Sequence, residues 1–150
     1  MNTILFLLLL MFCSFSFTQE KTVAYDSILA KKLGADEYGM KTYYFVYLKA
    51  GKNRSQDSLE VEHIQRAHLD NIAKLANEGK LIVAGPFMDD NEVRGIFILN
   101  AKSMEEAMEW TQTDPAVKAG RLIMEVHPFY CSAALMMVPE LHKKIAKVQI

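Results

Sequence analysis

The stretch Lys41–Lys49 (KTYYFVYLK) constrains the fold more than any other part of the chain. It is β-branched and aromatic throughout, bounded by lysines, and runs into Gly51-Lys52-Asn53, which makes it a strand. Tyr43, Phe45 and Tyr47 point to one side of it, and Tyr44, Val46 and Leu48 to the other. Phe97 and Leu99 alternate with Ile96 and Ile98 in the same way. A sheet wetted on one face shows polar residues there. This one shows none, so both faces need a cover. Helices of the same chain supply one layer. A second copy of the chain is the expected source of the other, with the chain's own tails as the alternative.

The segments around this strand set the order of elements. Asp57-x-x-Glu60, or the neighbouring Ser58, caps a helix on which Val61, Ile64, His68, Ile72 and Leu75 form one inward stripe. Glu78-Gly79 ends that helix. Leu81–Phe87 is a strand interrupted at Gly85-Pro86, Asp89-Asp90-Asn91 is a turn, and Val93–Asn100 is the next strand. Ser103-x-x-Glu106 opens a short helix with Met104, Ala107, Met108 and Thr111 on one side. Asp114-Pro115 starts a further turn ended by Gly120, and Leu122–Phe129 is the last strand. From residue 41 the order is β-α-β-β-α-β. Right-handed crossovers then place both helices on one face of a four-stranded antiparallel sheet, an α+β, ferredoxin-like arrangement.

The N-terminus belongs outside this fold. Ile4–Phe17 carries no charge, and its fourteen residues span about 21 Å as a helix, short of the roughly 30 Å of a bilayer core. It reads as the apolar core of an export signal, with Ser14-x-Ser16 as a small-x-small cleavage pattern and an uncleaved anchor as the alternative. The mature chain is expected to be periplasmic or secreted, with no stable membrane insertion once the leader is removed. Residues 20–40 follow as a short helix ended at Gly34 and a linker, and residues 131–150 as a tail whose short helix starts near Pro139. Cleavage leaves Cys131 without an intrachain partner; a buried inert thiol is the simpler reading, an interchain bridge or reactive thiol the other.

Composition excludes several functions. Seventeen Lys+Arg against eighteen Asp+Glu leave no basic surplus to neutralise phosphates, so nucleic acid is not an expected partner. The chain has no phosphate-binding loop and no GxSxG elbow, and no HxH, HxxxH or CxxC spacing supports a metal site. His68 is the residue that stands out. It lies on the apolar stripe between Ile64 and Ile72, either as a core histidine satisfied by a backbone carbonyl or as a proton-transfer group. Asp114 has two readings as well. It is a favourable N-cap ahead of a proline, and two antiparallel helices over one sheet also allow the end of the shorter to lie beside the first half or middle of the longer, near His68, although the spacing does not prove contact. His127 and Glu125 share a face of the last strand with Ile123, His63 lies off the apolar stripe, and His142 sits in the tail, both expected to be solvated. Trp110 reads as core.

The runs Ala67–Phe87 (AHLDNIAKLANEGKLIVAGPF), Thr113–Gly120 (TDPAVKAG) and His127–Tyr130 (HPFY) together resemble the YciI-like, YCII-related family. The similarity covers about residues 41–130 and leaves out the leader over 1–19, the segment over 20–40 and the tail over 131–150. It implies a dimeric α+β barrel built from two ferredoxin-like subunits, with an active site centred on a His and an Asp that match His68 and Asp114. The reading it supports is a cofactor-independent lyase or isomerase that uses this pair as acid and base on a small cyclic or aromatic molecule. A non-catalytic ligand-binding or assembly module is the alternative. A ligand-sized pocket opening at His68 favours the enzyme, and a filled site favours the module.

Overall fold

The computed structural model of the chain describes residues 24–148; the leader expected over 1–19 lies outside them. In chain order the elements are α1 (Ser27–Leu33), β1 (Met40–Ala50), α2 (Ser58–Asn77), β2 (Leu81–Pro86), β3 (Val93–Leu99) and α3 (Met104–Gln112). They continue with α4 (Pro115–Lys118), β4 (Leu122–Ser132), a 3-10 helix (Ala133–Met137) and α5 (Val138–Ile145). The four strands form one sheet in the order β2-β3-β1-β4, and every neighbouring pair is antiparallel. This is the ferredoxin-like α+β arrangement expected from the order of elements.

The helices form where capping and periodicity agree. Asp57 accepts the Glu60 N–H and starts the 20-residue α2, on which Ile64, His68 and Leu75 are buried. Ser103 accepts the Glu106 N–H to start α3, while the Glu106 carboxylate takes the Lys102 N–H, one residue before the position a reciprocal capping box would use. Ala107 and Thr111 of α3 are buried, but Met108, expected on the same inward side, is half exposed. The helix layer closes over Val46, Leu48, Phe97 and Leu99 of the sheet, with Leu75 and Ala107 from the helices and Ile72 and Trp110 at the margin. That core holds the second half of α2 and α3 against the same sheet.

The opposite face has its own cluster of Tyr43, Ile82 and Ile98. Leu135 and Met136 of the 3-10 helix pack on it, and the Tyr43 hydroxyl donates to the Ser132 carbonyl at 3.2 Å. Within one chain, then, the C-terminal tail covers half of this face. The other half, around Phe45, Tyr47, His127 and Phe129, has no cover from the described residues. It holds a hollow of about 310 Å³.

Candidate active site

α2 presents His68 to the sheet from the middle of its apolar stripe, where Phe97 of β3 stacks against the ring with centroids 6.2 Å apart and planes 16° from parallel. The chain comes back to this point at the α3–α4 junction. Asp114 is fully buried, and its Oδ2 lies 2.7 Å from His68 Nδ1. Its other oxygen, Oδ1, accepts the Ala116 N–H at 2.8 Å and so caps α4, with Pro115 in the first turn. Asp114 thus caps α4 with one oxygen and meets His68 with the other.

This division orients the pair. An ionised carboxylate accepts only, so His68 presents Nδ1–H to it, and in the neutral ring Nε2 then carries the free lone pair. The Asp114 side chain keeps 1% of its surface and that of His68 10%, so the ring is the member of the pair that reaches outward.

A second rung lies one turn along α2. Thr113 Oγ1 is 3.1 Å from Asn71 Oδ1 and 2.7 Å from the Trp110 carbonyl. The hydroxyl has one proton, and the Trp110 carbonyl can only accept it. Thr113 therefore has a lone pair for Asn71, which favours the amide turned with its amino group toward Thr113. The other amide atom of Asn71 is buried without a partner. No motif in the sequence singles out Asn71 or Thr113. Their signal is register: Asn71 is three residues past His68 on α2, and Thr113 directly precedes Asp114.

The space beside the pair is small. The crevice lined by Asn71, Leu75, Trp110, Thr111 and Asp114 is too tight for a water molecule. The roomier hollow lies on the opposite face, where His127 Nε2 is 2.7 Å from Glu125 Oε1 and Lys49 Nζ is 2.5 Å from Glu125 Oε2. Lys49, and after it His127, hold the Glu125 carboxyl below its usual range, and Glu125 in turn raises the Lys49 ammonium. His127 is thus separated from His68 and Asp114 by the sheet. No group of three or more His, Cys, Asp or Glu among the described residues is arranged to hold a metal ion. His63 and His142 are exposed, Cys131 is half-buried and unbridged, and Trp110 packs at the margin of the core under the Lys80 ammonium at 5.3 Å.

The model of the YCII-related domain matches residues 43–130, more than half of the chain. No curated protein matches it. One similar solved structure is the 5-chloro-2-hydroxyhydroquinone dehydrochlorinase from Burkholderia phenoliruptrix, in complex with 2,5-dihydroxybenzoquinone; it is 23% identical, covers 57% of this chain and 92% of its own, and has a TM-score of 0.44.

Proposed function

The chain belongs to the YCII-related family, and from that premise we propose that His68 and Asp114 carry out cofactor-independent acid–base chemistry, as a lyase or isomerase, on a small cyclic or aromatic molecule. The observation that carries this is the 2.7 Å contact between His68 Nδ1 and a buried carboxylate whose second oxygen is already engaged. Asp114 holds the ring in one tautomer, and Nε2 takes a proton from a C–H or O–H of the substrate. The carboxylate stabilises the imidazolium that results, which then returns its proton at another atom of the substrate or to its leaving group. Phe97 and Trp110 give the surroundings an aromatic character suited to a ring-shaped substrate.

Proton abstraction leaves a mark that does not depend on the final product. Candidate cyclic ketones, phenols and quinols incubated with the protein in D₂O should take up deuterium at carbon, read by mass spectrometry. Exchange that is equal with the wild type and with His68→Ala would remove the enzyme reading. The tight crevice beside Asp114 favours the second reading, a non-catalytic module in which the pair holds α2 to the α3–α4 junction. That reading expects no exchange with either protein.

We also propose that two copies meet over the uncovered half of the outer face, around Phe45, Tyr47 and His127. Light scattering should give twice the mature subunit mass, and a monomer at micromolar concentration would leave that half of the face to solvent. For the leader, we propose cleavage between Phe17 and Glu20 and a periplasmic or secreted product. Intact mass of protein from its native host reads this directly. A full-length mass in the soluble cytoplasmic fraction would end the proposal.

A further inference from the structure

Among the described residues, two side-chain hydrogen bonds join α2 to the α3–α4 junction, the His68–Asp114 contact and the Asn71–Thr113 rung. They are neighbours in register. Asn71 lies three residues past His68 on the same side of α2, and Thr113 immediately precedes Asp114. Thr113 is also the C-cap of α3, and its hydroxyl donates to the Trp110 carbonyl, so the rung is anchored at both ends. α4 has only four residues, too few to hold a position by itself. Its far end is tied down by Asn53 and Gln56, ahead of α2, which both donate to the Ala119 carbonyl. The rung ties down its near end, where Asp114 stands.

This rung does little for stability. Thr113 is exposed and its one proton already goes to Trp110, so water can serve its lone pair if Asn71 is removed. The other amide atom of Asn71 is buried without a partner, beside a crevice too tight for water. A buried polar atom left unpaired costs more than an exposed hydrogen bond returns. Leucine has the same branching as asparagine, and Leu75, Leu99 and Trp110 line the crevice with Asn71. An apolar side chain would therefore suit the packing better than the amide does. What the amide does supply is a hold on the residue next to Asp114.

We infer that Asn71 is a positioning residue for the His68–Asp114 pair: through Thr113 it keeps the α3–α4 junction in the register that places Oδ2 on Nδ1. The inference rests on the acid–base reading of that pair. Its mark is that stability and site function part company. Asn71→Leu should melt at or above the wild-type temperature, yet lower the rate of substrate exchange in D₂O about tenfold, because a small misplacement of a reacting group is costly. The pair's own proton reads the rung without a substrate. His68 Nδ1–H, held by Asp114 in the wild type, should exchange with solvent about tenfold faster in Asn71→Leu, as followed by NMR. Thr113→Val should match Asn71→Leu in both rates, and Thr113→Ser, which keeps the hydroxyl, should keep both near those of the wild type. The Asn71→Leu/Thr113→Val double variant should be no worse than either single one, since both remove the same bond. Unchanged Nδ1–H exchange in Asn71→Leu and Thr113→Val would overturn the inference. So would an Asn71→Leu protein that loses stability along with both rates, because the rung would then be a structural bond. If the wild type shows no His68-dependent substrate exchange while Nδ1–H still exchanges faster in Asn71→Leu, the acid–base reading fails and the positioning role stands.

Discussion

His68→Ala should lower the proton-exchange rate by about 10²- to 10⁴-fold, the range a positioned general acid or base contributes. Asp114→Asn should lower it as well, for a reason specific to this geometry. Asn caps a helix about as well as Asp, so the bond from the Ala116 N–H survives the change. The bond to His68 does not survive in the same form. If the amide oxygen takes the cap, the amino group faces Nδ1, and two donors cannot share one contact. The ring relieves this by moving its proton to Nε2, the atom proposed to receive the substrate proton. The variant should therefore stay folded and lose activity through the wrong tautomer. Because the two side chains act as a unit, the double variant should be little worse than His68→Ala alone. Asp114→Ala differs again, since it removes the cap and leaves a buried imidazole unpaired, and it should destabilise the fold by about 3 kcal/mol. If Asp114→Asn retains wild-type exchange, Asp114 is a cap and nothing more.

Gly51→Ala should be the most damaging small substitution in the fold. Gly51 is buried at the end of β1, where a Cβ would stand 2.1 Å from the Gly120 carbonyl oxygen and 2.6 Å from the Arg121 carbonyl carbon. Both neighbours are backbone, so no side chain can swing aside. They are also bonded in place, with the Gly51 N–H donating to Arg121 O at 2.8 Å and the Asn53 N–H to Gly120 O at 3.1 Å. Accommodating a methyl group means separating β1 from the turn that leads into β4, at a cost of about 3 kcal/mol or more and a melting temperature lower by about 10 °C. That turn closes α4, whose cap is Asp114, so the damage extends toward the site. Gly79→Ala is the comparison. Gly79 has φ of 69° but nothing within 4 Å of its would-be Cβ, so only backbone strain of about 1 kcal/mol is expected. Denaturant unfolding of the two variants reads the difference. Equal losses would mean that the close approach at Gly51 is not a constraint on the fold.

The order β-α-β-β-α-β was legible because each segment carried its own period and its own stop signal, such as the α2 stripe and Gly79. The apolarity of both faces of β1 was equally readable, but not what covers the second face. Half of it is taken by the chain's own Leu135 and Met136, in a 3-10 helix that no sequence period announced. Inward placement of His68 followed from Ile64 and Ile72. Its partner is not legible in the same way, since Asp-Pro at a helix start satisfies a local rule that hides any longer-range role. Only the packing of the α3–α4 junction against α2 places Oδ2 at Nδ1, a contact across 46 residues. The Asn71–Thr113 rung went unread because amides and hydroxyls on a helix surface are usually solvated. Free volume was beyond reach for the same kind of reason: the sequence names the residues of the crevice, but the fit between them decides its size.

The pair's tautomer is the most direct test of the account, and it needs no substrate. Long-range ¹H–¹⁵N correlation spectra of the His68 ring, above the pH at which the imidazole charges, distinguish a protonated nitrogen from one bearing a free lone pair. The geometry predicts Nδ1 protonated and Nε2 free in the wild type, and the reverse in Asp114→Asn. A wild-type ring protonated at Nε2, or one whose tautomer is the same in both proteins, would contradict the claim that Asp114 holds His68 ready to accept a proton.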